Sequence, residues 1–553
     1  MRLNSSPVIW TGLWIVLMAV SLSTRPLLPV DETRYLAVAW EMWHRNDFLV
    51  PYLNGETYSH KPPLLFWAFH LGWTVFGINE WWPRLIAPFF GLGSLFLTAK
   101  LATQLWPERH QIADIAPIIL LGCIFWTLFT TMTMFDMIVT FFSLLGLVGI
   151  LMAWRARCAG QSSRKGFFIL AIAIGFGLLA KGPAILLHTL PVALLAPLWI
   201  RRLETTADTG RPFNWPLWYA SIIGATLVGT AIVLVWALPA AYVGGEAYAN
   251  AIFWGQSAGR MVDSFAHNRP FWWYAAVLLP LLLPWAVWPR LWQAIKQSAT
   301  ANLNDGGIRL CLIWFLTAFI AFSLISGKQL HYLLPEFPAL ALMGAYFLTG
   351  AKTLPALDRK TIWLPAFLFF ALGAAAVFVA PHLLADRFQA RYPGLNFDGA
   401  GLIALSAATL LWLPIRTLRQ TVLALTALSV AVTIAAHLVL FPMLRDNFDV
   451  RPLAEKLGTW ERQGFRFAHM NKYHGQYHFA GRLIHPIPLV GNANLQLENW
   501  MAKNPGGRVI TYYNPGKIPT VAKPVYVRRF RGTFVVIWDV KTILAHPKIA
   551  YRR

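Results

Sequence analysis

Apolar residues come in long blocks along this chain, separated by short polar stretches. Thirteen such runs stand out, at about 8–28, 84–106, 111–130, 136–154, 166–181, 184–200, 217–238, 271–290, 308–326, 331–350, 362–381, 399–415 and 420–440. Most approach the roughly 20 residues that a helix needs to cross a hydrocarbon core about 30 Å thick. The pattern predicts a polytopic α-helical membrane protein with about 13 transmembrane helices. The runs starting at 166 and 184 are the shortest, and no internal repeat is evident. The first run carries no A-x-A cleavage pattern and is expected to stay as an anchor. Beyond about residue 445 the pattern changes. "VRPLAEKLGTW" has helical spacing, whereas "RVITYY" and "FVVIW" are strand-like. This predicts a small α/β domain over 445–553, following a transmembrane domain over 1–444.

The polar stretches sort by sign. Arg2, Lys100, Arg109, Arg155, Arg157, Arg164, Lys165, Arg201, Arg202, Arg290, Lys296, Arg309, Lys352, Arg359, Arg416 and Arg419 all fall on the amino-terminal side of the predicted spans. That bias marks this side as cytoplasmic. The opposite side then holds the larger loops 29–83, 239–270 and 382–398, together with the carboxyl-terminal domain. Composition agrees: charged residues are 13% of the chain, about half the share in soluble domains. The net charge of +23 would suggest nucleic acid in a soluble chain. Here it reads as orientation and attraction to the anionic headgroups of the bilayer, and no nucleic-acid module is present. Cys123, Cys158 and Cys311 are scattered and suggest neither a disulfide framework nor a thiolate metal site.

Several cations break the sign rule. Arg25, Arg34, Arg45, Lys61, Arg84, Lys181, Arg260, Arg269 and Lys328 lie on the outer side, many at span ends. Ionisable groups at that depth are costly and often functional. The stretch "DETRYLAVAWEMW" begins with Asp31, and its Leu36, Ala39, Trp40 and Trp43 recur at helical spacing. It predicts an amphipathic helix on the membrane surface. Asp31 is then either the cap of that helix, with Arg34 in its first turn, or a chemical group. "TYSHKPPLLFW" sets Tyr58, His60 and Lys61 before a rigid Pro-Pro pair, and a lysine so held can bind phosphate as a point charge. Asp136 opens the fourth run, where a carboxylate suits the helix dipole. His469, His474 and His478 lack an intervening carboxylate and are expected to form a polar surface.

Taken together, "DETRY" after the first run, "Y-x-x-K-P" about 25 residues later and the acid at Asp136 resemble the bacterial aminoarabinose–lipid A transferases. These are protein O-mannosyltransferase-like glycosyltransferases of the GT-C type. "AKGP" near Lys181, "AHNRPFWWY" near His267 and "GKQLHYLLP" near Lys328 and Tyr332 extend the resemblance to about residue 340. It implies transfer of a sugar from undecaprenyl phosphate to lipid A or another envelope acceptor at the periplasmic face of the bacterial inner membrane, with inversion and without a nucleotide cofactor. The sugar of that family is 4-amino-4-deoxy-L-arabinose.

The resemblance implies catalytic roles for Asp31 and Asp136. It implies donor or phosphate contacts for Arg34, Tyr35, Tyr58, Lys61, Lys181, Arg260, Lys328 and Tyr332. Where the family generally reads Y-E-K-P, this chain reads Tyr58-Ser59-His60-Lys61-Pro62. The acidic residue is replaced, so a divalent metal such as zinc would have to rest on His60 and His267. Two ligands are too few for a closed site. The alternatives are a related transferase for another glycan or protein, and a flippase for a lipid-linked substrate. Transporters commonly carry internal repeats, which this chain lacks.

The predicted topology has a direct test. A membrane-impermeant thiol reagent applied to intact cells should leave Cys158 unlabelled, and external protease should cut beyond Arg445. External labelling of Cys158 would invert the orientation.

Overall fold

The computed structural model describes residues 6–200, 203, 213–255, 268–350, 360–379, 401–410, 415–491 and 494–550. Every predicted apolar run contains a helix. Among the described residues, fewer of these runs reach full spanning length. Among the described residues seven helices are long and apolar enough to cross a membrane. An eighth follows if His110–Gly122 and Ile124–Thr130, bent by 73°, form one span.

The shortfall has local causes. Arg164–Lys181 is an 18-residue helix that carries three cations, Arg164, Lys165 and Lys181. The run at 184–200 is interrupted at Leu195 and gives Ala184–Leu194 and Ala196–Ile200, because Pro197 has no backbone donor for the Ala193 carbonyl, which accepts from the Trp218 indole instead. The run at 271–290 yields a nine-residue helix, Trp273–Leu281, and then a short turn of helix at Trp285–Val287.

The elements that position the site are α1 (Ser6–Thr24), α2 (Asp31–Arg45), the hairpin strands β1 (Tyr52–Leu53) and β2 (Glu56–Thr57), α3 (Leu64–Phe76), α4 (Trp81–Leu105), α5 (His110–Gly122), α6 (Ile124–Thr130), α7 (Asp136–Cys158) and α8 (Arg164–Lys181). The hairpin turns at Asn54-Gly55, both with positive φ, as a two-residue turn of this kind requires. The predicted outer loop 29–83 is thus largely ordered structure. At about 1.5 Å per residue, the 13 residues of α3 are too few to span a bilayer.

Helix α2 departs from the surface helix predicted for it. Every residue from Tyr35 to Met42 is buried, including the polar-face positions Ala37, Val38 and Glu41. The chain after residue 450 packs on the side that a surface helix would show to water. The Trp40 indole donates to the Leu483 carbonyl at 2.8 Å. Asp31 is also not the cap: Val30 holds that position, without a side-chain bond, and Asp31 is the first helical residue.

The carboxyl-terminal residues form a four-stranded mixed sheet from β3 (Phe467–His469), β4 (Arg508–Tyr513), β5 (Tyr526–Phe530) and β6 (Thr533–Asp539), in the order β3-β4-β6-β5. Strands β3 and β4 are parallel and the other pairs antiparallel. Alternation along the strands sends Ile510, Val535 and Ile537 to a core with Leu453 and Leu457 of the helix Arg451–Arg462. Val509, Val536 and Trp538 face Leu497 and Met501 of the helix Asn494–Lys503. Period-two burial on both faces makes a three-layer α/β/α unit. "RVITYY" and "FVVIW" are strands and "VRPLAEKLGTW" is helical, as their spacing predicts. His469 and His478 are buried rather than part of a polar surface. His478 Nδ1 is 2.7 Å from the Tyr473 hydroxyl.

Candidate active site at one end of the helix bundle

The end of α1, the start of α2, the start of α7 and the end of α8 meet at one end of the bundle. The link that joins three of them is a buried ion pair. Both terminal guanidinium nitrogens of Arg25 engage the Glu32 carboxylate. Glu32 also accepts from the backbone N–H groups of Leu28 and Thr133, each at 2.7 Å. Arg25 further donates to the Thr131 carbonyl at 2.8 Å. Burial alone would raise the Glu32 pKa, but the Arg25 charge and these hydrogen bonds hold it below the usual carboxylate value. The "DETRY" motif thus carries two acids with different duties. In the sequence Asp31 and Glu32 look alike, six and seven residues from Arg25; the fold gives the pairing to Glu32.

With Glu32 fixed, the next positions of α2 are set. Asp31 and Arg34 form an ion pair one helical turn apart; the Asp31 side chain is 50% exposed and that of Arg34 23%. Tyr35 is buried and meets Phe135 edge-on at 4.9 Å. Its hydroxyl is pushed well above the ordinary phenol pKa, first by burial and then by the Asp31 charge, with a contribution from Asp136. It is therefore a neutral donor. Phe135 also receives Phe66 at 5.8 Å, and the Lys61 ammonium lies 5.6 Å from its ring centre. Tyr58 packs against His60 at 5.3 Å. Groups from α2, the 58–61 segment and the start of α7 are thus gathered around one ring.

The next residue, Asp136, is buried at the first turn of α7. Lys181, at the end of α8, bonds it at 2.5 Å and lies 4.7 Å from the Tyr332 ring centre. His331 Nε2 stands 4.0 Å from the second Asp136 oxygen. His331 lies inside the "GKQLHYLLP" stretch beside Tyr332, and that adjacency was the available signal. A further buried pair, His188–Glu336 at 2.5 Å, was not foreseen.

Lys328 is placed differently from the other sequence candidates. Its ammonium donates to the carbonyls of Arg269, at 3.0 Å, and Ile325. These bonds pin the 268–269 segment to the 325–328 turn. Arg260 and His267 lie outside the described residues. Among the described residues no three His, Cys, Asp or Glu side chains gather where a metal could bind, so His60 has no such set to join. A separate apolar cavity of about 390 Å³, lined by Ile119, Cys123, Leu282, Trp285 and Phe347 among others, shares no lining residue with the cluster.

The arrangement can bind a phosphate through Arg34, Lys61 and Lys181, and it keeps one carboxylate, Asp31, open to a second substrate. The chain is similar to several known proteins. The profile of the dolichyl-phosphate-mannose-protein mannosyltransferase family matches residues 8–243. The undecaprenyl phosphate-alpha-4-amino-4-deoxy-L-arabinose arabinosyl transferase of Enterobacter sp. (strain 638) is 28% identical over 403 residues, covering 72% of this chain and 68% of that protein. The enzyme of the same name from Serratia proteamaculans (strain 568) is 27% identical over 346 residues, covering 61% of this chain and 59% of that protein, less than two thirds of its length. The crystal structure of ArnT from Cupriavidus metallidurans bound to undecaprenyl phosphate superposes with a TM-score of 0.70 at 20% identity. The match covers 96% of this chain and 97% of that one, so the two share a fold.

The buried pair predicts an asymmetric response. Glu32→Ala should cost about 3–5 kcal/mol, because it strands a buried guanidinium, and should lower the midpoint of thermal unfolding in detergent. Arg25→Met with Glu32→Leu should restore much of that loss. Because the folded pKa of Glu32 is depressed below its ordinary 4.5, its stabilisation is complete above that pH and is lost as pH falls through the lower folded value. A Glu32→Ala protein as stable as wild type would remove this link from the account.

Proposed function

We propose that this chain, a glycosyltransferase of the GT-C fold built like the aminoarabinose transferases, moves a sugar from undecaprenyl phosphate to an acceptor of the cell envelope. The acceptor we propose is lipid A, and the sugar 4-amino-4-deoxy-L-arabinose, as named in the relatives. One observation carries the reading. Side chains from segments far apart in sequence, around Asp31, Lys61, Asp136, Lys181 and His331, converge at one end of the bundle around Phe135 and Asp136. A multi-pass protein of the inner membrane is where both lipid substrates reside. The basic loops support thirteen crossings, a cytoplasmic amino terminus and a periplasmic carboxyl-terminal unit.

The reaction follows from charge. The bond between the anomeric carbon and the phosphate oxygen breaks, and its electron pair stays on undecaprenyl phosphate. Cations aimed at that oxygen stabilise the developing charge; Arg34 and Lys61 are suited to it. The acceptor oxygen attacks from the opposite side and inverts the centre. A hydroxyl acceptor gives its proton to Asp31, whereas an ionised phosphate acceptor is only aligned by the polar groups there. Asp136, bonded to Lys181 and close to His331, holds that ammonium in position. A divalent ion on His60 and His267 would act as a Lewis acid on the phosphate. No third ligand among the described residues supports it.

Magnitudes separate chemistry from structure at Asp31. An exposed ion pair is worth about 0–1 kcal/mol, so Asp31→Asn should leave the fold intact. If Asp31 serves the acceptor, turnover should fall by roughly 10²–10⁴-fold in an assay with the aminoarabinose donor and lipid A. Near wild-type turnover in a folded Asn variant would refute the role.

The donor site has its own test. Arg34→Ala and Lys61→Ala should each weaken undecaprenyl phosphate binding by about tenfold or more, since a hydrogen bond to a charged group is worth about 1.5–3 kcal/mol. Unchanged affinity in both would put the donor phosphate elsewhere.

A further inference from the structure

The carboxyl-terminal unit grips the first polar loop at several points. Asn54 exchanges two hydrogen bonds with the Ile487 backbone, at 2.9 and 2.7 Å. Phe479 stacks on Trp73 at 5.5 Å. The Trp40 indole bonds to Leu483, and Arg451 lies 3.7 Å from Glu80. Together these contacts bring one turn, residues 471–476, down onto α2.

Gly475 shows how close that approach is. It has φ +72°, and a Cβ there would stand 2.5 Å from a Leu53 methyl and 3.0 Å from the Ala37 Cβ. Ala37 is three residues beyond Arg34, on the same face of α2. His474, half-buried and next to Gly475, is thereby held beside the Asp31–Arg34 pair. The turn is braced from behind. The His474 backbone N–H donates to Gln476 Oε1 at 2.9 Å, and Gln476 Nε2 donates to the Tyr512 hydroxyl at 3.4 Å. The hydroxyls of Tyr512 and Tyr477 are 2.6 Å apart. A bonded polar network of this kind fixes a loop in one arrangement.

Resting on the function proposed above, we infer that the turn 471–476 completes the reaction site from the carboxyl-terminal side, and that His474 and Lys472 bind the anionic phosphate group of the acceptor. Several charges act on the imidazole. Burial and then the charges of Arg34, Lys472 and Arg531 lower its pKa, opposed only by Asp31. The ring is therefore neutral at about pH 7 and offers one N–H donor. The charges acting on the ring, Arg34, Lys472 and Arg531 against Asp31, sum to a positive surrounding, which suits a phosphate ester. Arg34 is shared with the donor site, whereas His474 and Lys472 belong to the carboxyl-terminal unit, so these two would distinguish the acceptor phosphate from the donor's.

The test uses the full-length protein in detergent, with undecaprenyl phosphate aminoarabinose as donor and bis-phosphorylated lipid A as acceptor. His474→Ala and Lys472→Ala should each raise the acceptor KM by about tenfold, the scale of one such hydrogen bond. The affinity for undecaprenyl phosphate and kcat at saturating acceptor should hold. His474→Gln, which keeps an N–H donor, should recover part of the loss. Dephosphorylated lipid A should bind wild type and variants equally. An unchanged acceptor KM in active variants, a parallel loss of undecaprenyl phosphate affinity, or equal loss in the Ala and Gln variants would overturn the inference alone. A wild-type protein that transfers no sugar to lipid A would overturn the function and this inference together.

Discussion

Two buried opposite charges decide where the rest of this end of the bundle sits. Arg25 follows the last turn of α1, and Glu32 lies in the first turn of α2. Their pairing also captures the Leu28 and Thr133 amides and the Thr131 carbonyl. Buried as the two side chains are, each would be expensive to leave unpaired. The lock is therefore made as a whole or not at all. Asp31, Arg34 and Tyr35 are carried on the same turns of α2, and Phe135 and Asp136 come just after Thr133. The spacing between the two halves of the site is inherited from a pair that does no chemistry.

The lock leaves two other carboxylates in unlike settings. Asp136 is buried and bonded to Lys181, with His331 4.0 Å away. Asp31 is half exposed and paired with Arg34. Environment separates the duties of chemically identical groups in this way in many active sites. A buried, paired carboxylate orients cations, while an open one can meet a substrate. The Phe135 ring gathers Tyr35, Phe66 and the Lys61 ammonium beside Asp136 without adding charge of its own.

Much of this was legible in the sequence, because membrane chemistry makes charge conspicuous. Asp31, Arg34, Lys61, Asp136 and Lys181 stand out at the ends of apolar runs, and the structure brings them to one end of the bundle. The strands and the helix after residue 450 follow from ordinary periodicity. What escaped notice depends on partners distant in sequence. Nothing local distinguishes Glu32 from Asp31; the Thr133 amide, 101 positions away, does. Helix α2 reads as a surface helix until Leu483 and Gly475 cover its other side. Lys328 looks like a binding lysine, yet its bonds go to the Arg269 and Ile325 carbonyls. His469 and His478 look polar and are buried, because tyrosine hydroxyls and backbone satisfy them. Among the described residues fewer helices than apolar runs reach spanning length, because the break at Leu195 and the cations of α8 alter stretches that composition treats as continuous.

The central claim is that the phosphate of the lipid donor rests among Arg34, Lys61 and the Phe135 ring. Photo-crosslinking tests it most directly, with an undecaprenyl phosphate analogue carrying a diazirine beside its phosphate and the adducts mapped by peptide mass spectrometry. The account predicts adducts on the 31–35, 58–61 and 135–136 segments, competed away by unmodified undecaprenyl phosphate. Competed adducts confined to the apolar cavity around Cys123 and Trp285, with none on those three segments, would contradict it.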